Sequence, residues 1–267
     1  MASHRPTVVF TPGAWHKPSC FDLVKKRLEP LGYPVIGITL PSVGAEPPNL
    51  NATDDAAVLR DVLQQLTDRG TDIVLVSHSY GGVVAGNALE GFGAKQRAAT
   101  GKKGGVIMNT YITSFAVPKG LSLVDLLPNH EYLPWMRREG NYVYPDNPEE
   151  IFYHDLSPEA QQKAISELTW QSAPVYESPS TYEPWHDIPS SYLVTDDDRA
   201  IVPQAQEGMV GLLGPNAFVE HVNSSHSPFL SHPDRGFSNA YTNVYLRKLQ
   251  RQSEKDSCSQ SICSYNL

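Results

Sequence analysis

Cysteine is scarce: Cys20, Cys258 and Cys263 are the only three in 267 residues. An odd, scattered set builds no disulfide framework, so a reducing compartment, the cytoplasm, is expected. The stretch Met1-Ala2-Ser3-His4-Arg5-Pro6 has no apolar core of the kind an export signal needs. No run of about 18 apolar residues occurs either, which argues against a spanning helix. Positive charge is also short, with 21 Lys and Arg against 29 Asp and Glu and a formal net charge of -8. Such a chain repels phosphate backbones and anionic lipid, so neither nucleic acid nor a membrane is an expected partner. The one basic cluster, Lys95, Arg97, Lys102 and Lys103, sits among Gly93, Gly101, Gly104 and Gly105 and reads as a solvated helix end and loop. No two histidines share metal-ligand spacing on one helix face, so no metal is expected.

What is present is a sizeable apolar fraction, 40% of residues. Short β-branched runs alternate with helical stretches. Val8-Val9-Phe10, Val35 to Ile38, Ile73 to Val76 and Gly105 to Met108 read as strands. Phe21, Val24, Leu28 and Leu31 recur at helical spacing. A longer helix, with Thr53 as its cap, presents Val58, Leu59, Val62, Leu63 and Leu66 and stops at Gly70. This alternation predicts an α/β fold with a mostly parallel, doubly wound sheet. From Phe115 to about Pro189 the texture changes to Pro, Tyr, Trp and Glu, with weak strand signals. One helix is expected there, Pro158 to Leu168 behind Ser157. Residues 115–189 are therefore read as an inserted helical cap in a single domain spanning 1–252. Sheet texture returns with Ser191 to Val194, a helix Pro203 to Leu213, and Ala217 to Glu220. Phe237, Tyr241, Val244 and Tyr245 suggest a last helix, and 253–267 a loose tail.

Ser77-His78-Ser79-Tyr80-Gly81-Gly82 follows an apolar strand and precedes Val83 to Leu89, a helical stretch. A serine on such a sharp turn is held with its hydroxyl above the sheet, and small residues are needed two positions either side. Gly81 fits, and Ser77 stands where glycine is commoner. In a sheet of this type the order along the chain is serine, acid, histidine. Asp196-Asp197-Asp198 follows the strand ending at Thr195, and His226 lies in a polar turn after the last strand. His221 belongs to that strand. The turn Thr11 to His16 is expected to supply one oxyanion N–H, from Ala14, and Tyr80 the other. Trp15 and His16 read either as pocket lining or, for Trp15, as core. Tyr132, Trp135, Tyr153, Trp170, Tyr176 and Trp185 suggest an apolar or aromatic substrate wall, with Trp135 and Trp170 as candidates.

With these residues assembled, the chain resembles the α/β-hydrolase superfamily, and within it the branch of plant methylesterases, hydroxynitrile lyases and similar microbial esterases. Pro12-Gly13-Ala14-Trp15-His16 resembles that branch's His-Gly-x-x-His turn, with Pro12 replacing the first histidine. Thr195 to Asp198, followed by Pro203 and Gln206, resembles its acid loop, which implies Asp198 as the catalytic acid. Ser157 to Leu168 resembles its cap helix. The resemblance implies cleavage of an ester or lactone of a small molecule, with no cofactor. The lyases of the branch carry a lysine directly after the catalytic histidine, and here that residue is Ser227. Carbon–carbon bond cleavage by the same residues, and ligand binding without turnover, remain the alternatives. Oligomeric state, a homodimer included, is not legible.

Overall fold

The computed structural model describes residues 5–233. Strand β1 (Thr7–Thr11) passes through α1 (Asp22–Leu28) to β2 (Val35–Gly37). Helix α2 (Ala52–Asp68) leads to β3 (Asp72–His78), and α3 (Gly81–Ala88) and α4 (Ala94–Ala99) lead to β4 (Gly105–Ile112). An insertion follows, with β5 (Met136–Glu139), β6 (Tyr142–Pro145), α5 (Pro148–Ile151), α6 (Pro158–Ser166), β7 (Gln171–Ser172) and α7 (Pro174–Glu177). The sheet then resumes with β8 (Ser190–Thr195), α8 (Pro203–Leu212), β9 (Phe218–Val222) and α9 (Pro228–Ser231).

Six strands form one sheet in the order β2-β1-β3-β4-β8-β9, every pair parallel. Because side chains alternate along a strand, a sheet covered on both faces needs apolar residues at successive positions. Val9, Ile73 and Leu75 pack with Leu59 and Leu63 of α2 and with Val83 and Val84 of α3. Val8, Phe10, Val74 and Val76 pack on the other face with Phe21, Val24 and Leu28. The doubly wound α/β sheet expected from the alternating runs is the one observed.

Three local expectations are corrected. The α2 cap is Asn51, whose side chain accepts from the N–H groups of Thr53 and Asp54 while Asp54 accepts from the Asn51 N–H. Thr53 already lies inside the helix. Arg97 is buried, not solvated: its guanidinium donates to the carbonyls of Gly104, Thr67 and Lys103. The insertion is more than helical, for β5, β6 and β7 pair as an antiparallel sheet. Strands of two to four residues carrying Arg137, Arg138 and Glu139 are too short and polar to leave an alternating signal. The helix expected around Phe237 to Tyr245 and the tail 253–267 lie outside the described residues. Among the described residues no helix is long and apolar enough to cross a membrane.

Candidate active site

Ser79 sits between β3 and α3 with φ at 52°, a left-handed conformation that a non-glycine residue holds only when its surroundings impose it. They do so here. Its carbonyl accepts from the Ser114 hydroxyl at 2.8 Å and the Phe115 N–H at 3.1 Å, both just past β4. A Cβ on Gly81 would stand 2.4 Å from the Thr11 oxygen, and one on Gly82 would stand 2.0 Å from that of Phe115. No side chain fits at either position, which explains the glycine pair. Ser77 on the other side is fully buried, and its small size suffices.

Asp198 lies after β8 and His226 after β9, both buried. The His226 Nδ1–H donates to Asp198 Oδ2 over 2.8 Å. The same oxygen accepts from Thr195 Oγ1 at 2.9 Å, from Gln206 Nε2 at 3.2 Å and from the Thr113 hydroxyl. Asp198 Oδ1 accepts from the N–H groups of Ala200 at 2.7 Å and Ile201 at 2.9 Å. Burial opposes charge on this carboxyl, but the neighbouring His226 and these donors outweigh it and hold its pKa below the usual value. The other members of the run face outward. Asp196 pairs with half-exposed His221, and Asp197 with His154 of the insertion.

Ser79, Ala14, Tyr80, Trp15, Trp135 and His226 line one cavity, with Phe115, Leu123, Leu127, Leu133, Met136, Tyr176, Ala200 and Ile201. The room left inside is about 30 Å³. No hydrogen bond joins Ser79 Oγ to His226 in this conformation, and such contacts commonly tighten once substrate is bound. Among the described residues neither the Ala14 nor the Tyr80 N–H has a protein acceptor. The adjacent Trp15 N–H does, donating to Gln171 Oε1 of β7 at 3.1 Å. Its indole also donates to the Val143 carbonyl of β6 at 2.8 Å, so Trp15 is at once cavity wall and core.

Of the candidates Trp15, His16, Trp135 and Trp170, two lie elsewhere, and of the wider aromatic set Tyr132, Tyr153 and Trp185 do not line this cavity either. His16 borders a larger cleft of about 350 Å³ between the Pro18–Phe21 turn and α6. Its ring is held by the Ala14 carbonyl and Tyr153 Oη. Burial lowers its pKa to about 4. Trp170 lies on an outer groove beside Arg137 and Tyr144, its indole bonded to the Ala45 carbonyl.

Several contributors escaped the reading of the sequence. Thr113 reaches Asp198 from the end of β4. His78 donates from Nε2 to the His226 carbonyl at 2.9 Å, with the two rings 4.7 Å apart. Burial, with His226 and His16 nearby, keeps it neutral by pushing its pKa well below the ordinary value. Asp155 of the insertion accepts from Ser224 Oγ and the Ser225 N–H, which steadies the loop carrying His226. Asp55 of α2 accepts from Tyr80 Oη at 2.7 Å and from the Ser42 N–H and hydroxyl, and Ser42 accepts in turn from Gln171. Of these, only His78, next to Ser79 in the elbow, had a position in the sequence that could have drawn attention.

The comparisons with known proteins agree with this architecture. A family model described as the alpha/beta hydrolase family matches residues 8–240. The alpha/beta hydrolase nvfD of Aspergillus novofumigatus is 31% identical over 235 residues, covering 86% of this chain and 93% of that protein. Methylesterase 7 of Arabidopsis thaliana is 23% identical over 244 residues, covering 83% and 88%. The crystal structure of a pyrethroid hydrolase from Sphingobium faniae JZ-2 matches with a TM-score of 0.69 at 22% identity, over 86% of this chain and 93% of that one, a likeness of fold. The protein with this sheet, elbow and acid loop belongs to the alpha/beta hydrolase family.

Proposed function

We propose that the protein is a serine hydrolase that cleaves a carboxylic ester or lactone of a small, largely apolar substrate through an acyl-enzyme. Ser79 Oγ attacks the carbonyl carbon while His226 Nε2 takes its proton. Asp198 fixes the imidazole tautomer and stabilises the imidazolium that forms. The carbonyl oxygen, now an oxyanion, accepts from the N–H groups of Ala14 and Tyr80. His226 returns the proton to the leaving alkoxide, and the carbon–oxygen bond breaks. Water, deprotonated by His226, then attacks the acyl-enzyme and frees the acid and Ser79. The sequence requires no metal or cofactor. The reading also keeps the expected cytoplasmic setting, with a small molecule as the partner.

The observation that carries this reading is the convergence on one cavity of Ser79, the buried Asp198–His226 pair and two amides without protein acceptors. The names of the relatives, a methylesterase and a pyrethroid hydrolase, point the same way. Cyanohydrin cleavage is disfavoured, because among the described residues none lining the cavity carries an ammonium or guanidinium to stabilise departing cyanide. Arg137 pairs with Glu139 and Asp146, and Arg138 with Glu177, on the exposed insertion. The test is labelling with a fluorophosphonate alongside hydrolysis of short activated esters. Wild type should do both, with the label on Ser79, and Ser79→Ala should do neither. A label retained on Ser77 or another serine in the variant would falsify the assignment.

A further inference from the structure

The wall of the Ser79 cavity is mostly apolar; besides the reacting groups, its polar side-chain atoms are the indole nitrogens of Trp15 and Trp135 and the hydroxyls of Tyr80 and Tyr176. Tyr176, on α7, is 1% exposed, and its Oη is buried with no hydrogen-bond partner. Its ring packs against Tyr132, Trp15 and Tyr80 at centroid distances of 5.6, 6.0 and 6.3 Å. Those neighbours have satisfied their own polar atoms. Tyr80 Oη donates to Asp55, Tyr132 Oη to the Ala173 carbonyl and Glu177, and Trp15 Nε1 to the Val143 carbonyl. Tyr176 is the one lining side chain whose polar atom is both buried and unpaired among the described residues.

Leaving a hydroxyl in that condition carries its full desolvation cost with no hydrogen bond in return. Phenylalanine would fill nearly the same volume without that cost. Phe115, Leu123, Leu127, Leu133 and Met136 show that the surrounding wall uses apolar side chains where nothing polar is to be met. A tyrosine here makes chemical sense if something that enters the cavity supplies the missing acceptor. The free space of about 30 Å³ is bordered by Tyr176, and an incoming oxygen would reach the buried Oη as the adjoining apolar wall gives way.

We propose that Tyr176 is a specificity-determining residue that donates its hydroxyl hydrogen to a second oxygen function on the substrate. The substrate class is then an ester or lactone whose hydrocarbon part carries a ketone or hydroxyl set back from the scissile carbonyl. The inference rests on the hydrolase reading and narrows it. A purely hydrocarbon ester of the same shape leaves the Tyr176 hydroxyl unpaired. A site built around a hydrogen bond discriminates against such analogues more strongly than an apolar pocket discriminates by size.

The experiment uses 4-nitrophenyl esters of a straight-chain acid beside analogues with a ketone, or a hydroxyl, moved one carbon at a time along the chain. The readout is the ratio of kcat/KM for each oxygenated ester to that of the plain ester. In wild type the ratio should peak at one position by about tenfold or more, and in Tyr176→Phe the peak should collapse toward one. Binding of the same esters to Ser79→Ala and to Ser79→Ala/Tyr176→Phe, followed by calorimetry, gives the ratio without turnover. A flat wild-type profile, or a peak that survives in Tyr176→Phe, overturns the proposal. If wild type cleaves no ester, the hydrolase reading fails separately. A calorimetric preference removed by Tyr176→Phe would then still support the Tyr176 assignment, and no preference would end it.

Discussion

Ser79, Asp198 and His226 stand just past the ends of β3, β8 and β9, where backbone and side-chain hydrogen bonds hold them. Much of the opposite wall comes from the insertion between β4 and β8. There Leu123, Leu127, Leu133, Trp135 and Met136 meet the cavity by packing. The difference follows what each side has to do. Under the proposed mechanism Ser79 and His226 exchange a proton, which needs placement to a fraction of an ångström, and strand ends on a shared sheet provide it. A wall that accepts a substrate needs shape and some room to yield. The two regions are nevertheless tied together. Gln171 and Val143 of the small sheet hold the Trp15 turn, Asp155 holds the His226 loop, and His154 meets Asp197.

The largest expected effect lies on the sheet side, within three adjacent aspartates. Asp198→Asn keeps the shape of the acid but favours the wrong imidazole tautomer and cannot balance the imidazolium. We expect kcat to fall by about 10³–10⁴-fold. Asp196→Asn disturbs an exposed pair with His221, and Asp197→Asn only the bond between its exposed carboxylate and the largely buried His154, so both should stay within about twofold. Steady-state kinetics on one activated ester ranks the three. Comparable losses across the run, with folds intact, would remove Asp198 from its place in the mechanism and blur the contrast between fixed site and adaptable wall.

A smaller effect tests whether the insertion does more than bind. Gln171→Ala removes the acceptor of the Trp15 N–H and a donor to Ser42, which with Tyr80 is bound to Asp55. Both turns offering unpartnered amides would then lose a support. We expect kcat to drop about tenfold, the equivalent of one well-placed hydrogen bond, with a smaller change in KM. A rise in KM alone would confine the insertion to substrate binding.

These contrasts also decide what could be read without coordinates. The strands were legible because Val8 to Phe10 or Ile73 to Val76 must be apolar at every position of a sheet covered on both faces. The positions of Ser79, the aspartate run and His226 were legible because each follows a strand in a fixed chain order, whereas the choice of Asp198 within the run rested on the family resemblance. Thr113 and Gln171 left no such trace. Their contacts with Asp198 and Trp15 span 85 and 156 residues, and a single polar side chain has no periodicity. Trp135 and Trp170 look alike in a stretch rich in aromatic residues. Only the pairing of β5, β6 and β7 turns one toward Ser79 and leaves the other on the outer surface.

The smallest expected effect compares a helix from each region through its cap. Asn51 begins the 17-residue α2, accepting from Thr53 N at 2.8 Å and Asp54 N at 3.3 Å, while Asp54 returns a bond at 2.8 Å. That helix buries Leu59 and Leu63 against the sheet, so fraying its first turn loosens the central packing. Ser157 begins the nine-residue α6 with a single 3.4 Å bond from Ala160 N, on a helix with no buried residue. Asn51→Ala should cost about 1 kcal/mol and lower the melting temperature by about 2–4 °C. Ser157→Ala should cost a few tenths of that, because a surface helix can fray locally while the sheet remains folded. Neither residue touches the cavity, so kcat/KM should change by less than about twofold in both. Equal melting losses would mean that the insertion unfolds together with the sheet, and the division between a rigid site and a yielding wall would then have to be drawn inside the insertion itself.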